Sequence, residues 1–202
     1  MNDKITIQHG VPEDQHHQAA LLYCQALSAK LQPFLGSPER AARLLSRGVR
    51  SDRAFVALRD NAVVGIAGFQ VGGAGLFDSS LRQMWREYRW SALPRALGLM
   101  LLTRGEEPDT LLMDGIAVDA GVRSRGIGSR LLDAICRHAA QLNLRYVRLD
   151  VIDTNPRAQQ LYERQGFVAG KSSGVGPFRL LFPFRSTTAM RKTVGHKPVV
   201  QH

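Results

Sequence analysis

Arg123-Ser124-Arg125-Gly126-Ile127-Gly128 is the stretch on which the reading of this chain turns. It follows a strand-like run, Thr110 to Val118, and precedes a helix-like run that begins near Ser129. A strand that breaks into a glycine turn and then starts a helix makes an anion site. The first N–H groups of a helix lack internal acceptors, and the helix dipole adds partial positive charge there. Gly126 and Gly128 carry no side chains, so an anion can approach the backbone. Arg123 and Arg125 add formal charge beside it. The expected ligand group is a phosphate or pyrophosphate held mainly by main-chain N–H groups. Alone, such a turn also fits a plain tight turn. It lacks the Gly-Lys-Ser/Thr ending of a phosphate loop, and Leu131 stands where a dinucleotide fingerprint needs its third glycine.

Outward from the turn, strands and helices alternate. Ile5-Thr6-Ile7 reads as a first strand, and Glu13 to Leu31 as a helix with Ala20, Leu21, Cys24, Leu27 and Leu31 at helical spacing. Ser37-Pro38-Glu39 opens a second helix with cap, proline and acid in order. Ala54 to Leu58 and Ala62 to Val71 read as strands joined by a hairpin turn at Asp60-Asn61. Residues 76–108 read as one or two helices laid across the strands. Their Trp85 and Trp90 read as packing residues, or alternatively as a wall over a second substrate. After the turn come a helix to Leu142, a strand from Tyr146 to Ile152, and a helix from Pro156 to about Gln165, stopped by Gly166. Phe178–Phe184 and Thr187–Lys192 are expected to close the sheet as a hairpin. We expect one domain over residues 1–194, with a helical insertion at about 76–108, and a mobile tail at 195–202.

A second constellation supports the first. Asn155 lies where strand gives way to helix, and Tyr162 follows seven residues later on the same side of that helix. Such a pair can line a cleft. By itself Asn155 reads equally as a cap for Pro156, and Tyr162 as a core aromatic beside Ala158 and Leu161.

With both constellations in hand, the chain resembles the GNAT superfamily of N-acetyltransferases. Arg123-x-x-Gly126-x-Gly128 is similar to the family's first motif. Asn155, Ala158, Tyr162, Gly166 and Phe167 match its second, Asn-x-x-Ala-x-x-x-Tyr-x-x-x-Gly-Phe. The resemblance covers roughly residues 110 to 170. It implies an α/β (α+β) fold: a mixed, mostly antiparallel central sheet splayed between two parallel strands and flanked by helices. Acetyl-CoA would enter the splay. The pyrophosphate would lie on the main chain of Arg123, Ser124, Arg125, Gly126, Ile127, Gly128 and Ser129. The pantetheine arm would run along Ile116, Ala117 and Val118. Asn155 would touch the arm, and Tyr162 would sit beside the thioester sulfur.

The implied chemistry is direct attack by an amine on the acetyl carbonyl. A backbone N–H near Val118 would stabilise the oxyanion. Tyr162 would protonate or hydrogen-bond the departing thiolate. Strand alternation puts Asp114 on the face of Ile116 and Val118, which makes it the candidate general base. The acceptor would be a small amine or a protein or peptide amine. A non-catalytic acyl-CoA-binding module of the same fold is the alternative. A homodimer is possible in such a family.

Charge and cysteine usage bound the other classes. Lys and Arg number 27 against 17 Asp and Glu, a net charge of +10. No basic run carries the aromatic interleaving of a single-strand binder, so we expect an anionic ligand rather than nucleic acid. Cys24 and Cys136, the only two, fit neither a zinc pattern nor a disulfide framework. A reducing cytoplasm is therefore expected, with no metal. No signal peptide is evident at Met1–Lys4, and the apolar run Ala96–Leu102 is far short of the ~20 residues that span a bilayer. Glu106-Glu107-Pro108-Asp109 reads as a solvated loop, or as an acidic lining for the acceptor. His16-His17 reads as exposed helix surface.

Overall fold

The computed structural model describes residues 4–78, 81–100, 105, 107–176 and 180–195. Its strands are β1 (Ile5–His9), β2 (Ala54–Arg59), β3 (Ala62–Gln70), β4 (Thr110–Val118), β5 (Tyr146–Ile152), β6 (Val168–Gly174) and β7 (Ser186–Thr193). Its helices are α1 (His16–Ala26), α2 (Ser28–Leu35), α3 (Pro38–Leu45), α4 (Leu81–Tyr88), α5 (Ala92–Met100), α6 (Ile127–Gln141) and α7 (Pro156–Arg164). The strands form one sheet in the order β1-β2-β3-β4-β5-β7-β6. Every neighbouring pair is antiparallel except β4 with β5. The mixed, splayed sheet expected from sequence is thus the observed one.

Local chemistry accounts for the element ends. Asp60 and Asn61 both take positive φ, 50° and 64°, the geometry a two-residue hairpin demands. Ser37 Oγ accepts from the Arg40 N–H and Pro38 fills the first turn of α3. The helix expected over Glu13–Leu31 is instead two, because the chain bends at Leu27, whose backbone leaves the helical region (φ −103°, ψ 17°). That break puts the α1–α2 junction over the sheet centre. Pro94 is accommodated in the first turn of α5, where its missing N–H has no intrahelical acceptor to lose.

The closing hairpin is a correction. The partner of β7 is β6, not the run ending at Phe184. Residues 180–184 are irregular, and Phe178 and Leu180's neighbour at 179 lie outside the described residues. Every residue of β6 is solvent-exposed, so this edge strand shows no hydrophobic alternation. Of the tail expected to be mobile, 195–202, all but Gly195 lies outside the described residues.

Two cores flank the sheet. On one face α6 and α7 cover Leu111, Met113, Val147, Leu149 and Val151, with Ile127, Leu131 and Ile135 fully buried between. On the other face α1 lies over Val56, Ile66, Leu76 and Ala117, and a third cluster joins α1, α3, α4 and α5 through Cys24, Leu44, Met84 and Tyr88. The expected insertion therefore contributes α4 and α5, packed outside α3 rather than on the strands. Among the described residues no helix is long and apolar enough to cross a membrane.

Candidate active site

β4 and β5 pair over only three residues, Thr110↔Tyr146, Leu111↔Val147 and Leu112↔Arg148. Beyond them β4 keeps its bonds to β3, and β5 keeps its bonds to β7. The two strands part, and one edge of each is left without a strand partner among the described residues. An unpaired strand edge offers main-chain N–H and C=O groups that an extended ligand can bond as an added strand. Ile116, Ala117 and Val118 lie on its β4 side.

A bulge sets the geometry of that side. Gly68 pairs with Gly115 and Phe69 with Met113, so Asp114 is the extra residue in β4. Met113 and Ile116 consequently share the α6 face, whereas Asp114 turns to the opposite one, where its Oδ2 accepts from the Leu76 N–H at 3.4 Å. The expectation that Asp114 shares a face with Ile116 and Val118 is therefore overturned, since simple alternation does not survive the bulge. Asp114 stays at the gap, on the α1–α2 side of the sheet.

The gap continues into an open cleft of about 570 Å³, counted to its mouth in open solvent. Leu27 and Lys30 line it from the α1–α2 junction, Asp114 and Asp150 from the parted strands, and Asn155 and Tyr162 from the α7 side. Val147, Leu149 and Val151 face α6, so Asp150 faces α1–α2, the same side as Asp114. The Lys30 ammonium donates to the Asp150 carbonyl oxygen at 3.4 Å. Asp150 was not singled out from sequence. Its signal was present, however: alternation in Tyr146–Ile152 places it opposite Leu149 and Val151.

Tyr162 lies on the other side of the gap, 5 % exposed, with Phe167 against its ring at 6.0 Å. Burial pushes its phenol well above the usual tyrosine value, so the hydroxyl keeps its proton. No residue among those described hydrogen-bonds that hydroxyl. Asn155 caps α7, its Oδ1 accepting from the Ala158 N–H at 3.2 Å, which leaves its amide N–H groups directed elsewhere. Capping and ligand contact are compatible.

At the far end of β4 the glycine turn takes the shape of an anion cradle. Ser124 and Gly126 adopt positive φ, 64° and 72°, and Gly126 is the N-cap of α6. Helical bonding begins with the Arg130 N–H to the Gly126 carbonyl, so the N–H groups of Ile127, Gly128 and Ser129 precede the ladder. A side chain placed on Gly126 would meet nothing within 4 Å, so the space above it is open. Gly128 has a different role: a Cβ there would lie 3.1 Å from Leu161, which is how closely α6 and α7 approach. Ile127 is buried among Gly65, Leu131 and the core, so it can offer a ligand only its N–H. Arg123 and Arg125 are exposed beside the turn, and Arg123 Nε donates to the Val118 carbonyl at 3.1 Å, tying strand end to turn. The open space, the free helix start and the two arginines fit a pyrophosphate.

Of the residues expected from sequence, Asp114, Ile116, Asn155 and Tyr162 line the cleft, Arg123 to Ser129 form the turn, and Ala117 and Val118 continue β4 between the two, Ala117 with its side chain buried on the α1 face. Glu107 of the acidic run does not join them. Glu107 pairs with Arg148 and Arg191, bracing β5 against β7.

A splayed parallel pair with a helix start at its mouth has room for a long, phosphate-headed ligand along the strand edge. The chain belongs to the acetyltransferase (GNAT) family, whose family model matches residues 22–167. Membership makes it an acyltransferase with acetyl-CoA as cosubstrate. No curated protein matches it in sequence. Among solved structures it is similar to an N-acetyltransferase from Staphylococcus aureus Mu50, 16 % identical over 95 % of this chain and 99 % of the other, TM-score 0.61. It is similar also to the ribosomal-protein-S18-alanine N-acetyltransferase of Escherichia coli, 15 % identical over 98 % and 99 %, TM-score 0.59. A third is YncA of Salmonella typhimurium, solved with its cofactor acetyl-CoA, 12 % identical over 98 % of both chains, TM-score 0.63. At these identities the likeness is one of fold.

Proposed function

We propose that this protein transfers the acetyl group of acetyl-CoA to an amine by direct attack in a ternary complex. The observation that carries the proposal is the polarity of the gap: Asp114 and Asp150 line it from the α1–α2 side and Tyr162 from the α7 side. Ligand phosphates on the turn at Gly126 would run the pantetheine arm up the free edge of β4, as the resemblance to the family implies. The thioester then arrives near Tyr162, and the open α1–α2 side remains for the acceptor.

Two carboxylates there attract a protonated amine and hold it in line. Asp114 or Asp150, directly or through water, takes the proton that makes the amine nucleophilic. The amine adds to the carbonyl to form the C–N bond, a backbone N–H at the end of β4 steadies the oxyanion, and the C–S bond breaks as that intermediate collapses. The departing thiolate receives the Tyr162 hydroxyl. Because burial raises that phenol, its first service is as a hydrogen-bond donor, with the proton following as charge builds on sulfur.

The test is turnover with acetyl-CoA against a panel of cationic amines, amino acids and peptide N-termini, read by release of free thiol and by mass of the product. Acetylation of at least one cationic amine is expected. Binding of acetyl-CoA with no turnover on any amine would instead favour a non-catalytic acyl-CoA-binding module. The free thiols Cys24 and Cys136 suit a reducing cytoplasm.

A further inference from the structure

Among the described residues, eight large hydrophobic side chains are exposed, and four of them, Trp85, Trp90, Leu93 and Leu97, fall within α4–α5. Trp90 is 87 % exposed and Leu93 63 %. This overturns the expectation that both tryptophans are packing residues. The packing is done by the inner face: Met84, Tyr88 and Ala92 are buried, and the Tyr88 hydroxyl donates to the Leu35 carbonyl at 2.6 Å. The guanidinium groups of Arg40 and Arg95 lie over the Tyr88 ring at 4.4 and 4.7 Å. The outer face is therefore held out to solvent by a firm mounting. Arg89, at φ 48°, turns the chain between the two helices, and Trp90 meets Trp85 with ring centroids 5.6 Å apart.

The charge around this apolar cluster has one sign. Arg82, Arg86 and Arg89 are exposed beside it and form no ion pair among the described residues. Glu87 is the only acid in residues 81–100, and it faces inward to Arg40 and Arg43. A second copy is a poor occupant, because a twofold contact would set these arginines against their own copies. Nucleic acid is a poor one too: the two tryptophan rings lie against each other, tilted at 58°, rather than standing apart for bases, and Leu93, Pro94 and Leu97 offer nothing to stack on. Aromatic and aliphatic side chains ringed by arginine match the interface of an anionic bilayer.

We propose that the outer face of α4–α5 docks this protein on an anionic lipid surface. Trp85, Trp90, Leu93 and Leu97 enter the headgroup layer, and Arg82, Arg86 and Arg89 pair with lipid phosphates. That no helix among the described residues can span a membrane bears only on crossing one, not on lying against one. The proposal is independent of the acetyl-transfer reading.

The chain has only two tryptophans, and both are on this face, so tryptophan emission, excited beyond the tyrosine absorption, reads this surface alone. The full-length protein is titrated with phosphatidylcholine vesicles, with mixed phosphatidylcholine–phosphatidylglycerol vesicles, and with a single-stranded oligonucleotide. Expected are a blue shift and cosedimentation with the mixed vesicles only, both weakening as salt rises. Each arginine near an anionic surface changes partitioning about fivefold, so Arg82→Gln, Arg86→Gln and Arg89→Gln together should lower it about 100-fold. Trp90→Ala, at a side chain that packs on little else, should weaken it with no change in unfolding temperature. No response to mixed vesicles, or equal response to neutral ones, overturns the proposal. So does tighter binding to the oligonucleotide. A blue shift that grows with protein concentration and without lipid would overturn it in favour of a second copy.

Discussion

Replacing Gly126 by valine separates the cost of the turn's shape from the cost of blocking its ligand. Gly126 sits at φ 72°, where an L residue is strained by roughly 1–2 kcal/mol. Nothing lies within 4 Å of the added Cβ, so no clash adds to that strain in the free protein. For a chain of this size the penalty corresponds to a drop of about 2–8 °C in unfolding temperature. With the phosphate seated on the turn as proposed, the Cβ would occupy the space that the phosphate needs. Losing one charge-assisted hydrogen bond, ~1.5–3 kcal/mol, weakens binding about 10- to 100-fold. Gly72→Val is the matched control: φ 60°, also open to 4 Å, but in the loop after β3 and not among the cleft residues. Both variants should lose similar unfolding temperature, and only Gly126→Val should lose affinity for acetyl-CoA in calorimetry. A folded Gly126→Val protein that binds acetyl-CoA like the wild type would falsify the assignment of the turn.

Three further outcomes follow from the site and the core. Tyr162→Phe keeps the buried ring and removes the hydroxyl, so kcat should fall by about 10²–10⁴ with acetyl-CoA affinity nearly unchanged; full turnover on a verified acceptor would leave Tyr162 as packing. Asp150→Asn should raise KM for a cationic amine by about tenfold or more while sparing acetyl-CoA binding, and Asp114→Asn should do the same if both carboxylates face the acceptor; unchanged kinetics in both would move the acceptor elsewhere. His138 packs against Phe69 at 5.1 Å and His9 at 4.9 Å, and burial, then His9 and Arg53, hold its imidazole below the usual value. A group depressed on folding contributes stability above its unfolded pKa of ~6.5 and loses it as pH falls through the folded value. Unfolding temperature should therefore drop on the acid side of neutrality, and His138→Phe should flatten that drop; parallel profiles would rule out His138 as its source.

Much of this architecture was legible because each signal was local. Asp60-Asn61 marks a hairpin, Ser37-Pro38 a helix start, and Asn155-Pro156 both a cap and a motif position; each needs only its neighbours in sequence. The failures share the opposite property. Val168–Gly174 pairs as an edge strand with every side chain in water, so no alternation betrays it. Glu107 looked free because its partners, Arg148 and Arg191, come from other strands. Trp85 and Trp90 were assigned to packing because large aromatics usually are buried, and only the inner anchoring through Met84 and Tyr88 shows the other face to be outward.

Asp114 is the failure that bears on function. Alternation from Val118 back to Asp114 assumes an unbroken ladder, and the extra residue opposite Gly68–Phe69 breaks it. The same bulge lies one residue past Met113, where β4 has already lost its pairing with β5. Bulges bend the strand that carries them and sharpen its twist. The residue that defeated the alternation argument thus sits where β4 turns away from β5 to open the gap. It also swings a carboxylate from the face of Ile116 to the face of Asp150. A single inserted residue thereby sorts the two sides of the cleft: apolar strand edge and Tyr162 on the α6–α7 side, the carboxylates of Asp114 and Asp150 on the α1–α2 side. Removing Asp114 altogether should restore alternation in β4 and close the gap, with acetyl-CoA binding lost along with amine turnover. Asp114→Asn should keep the bulge and the binding. A deletion variant that still binds acetyl-CoA would show that the opening owes nothing to the bulge.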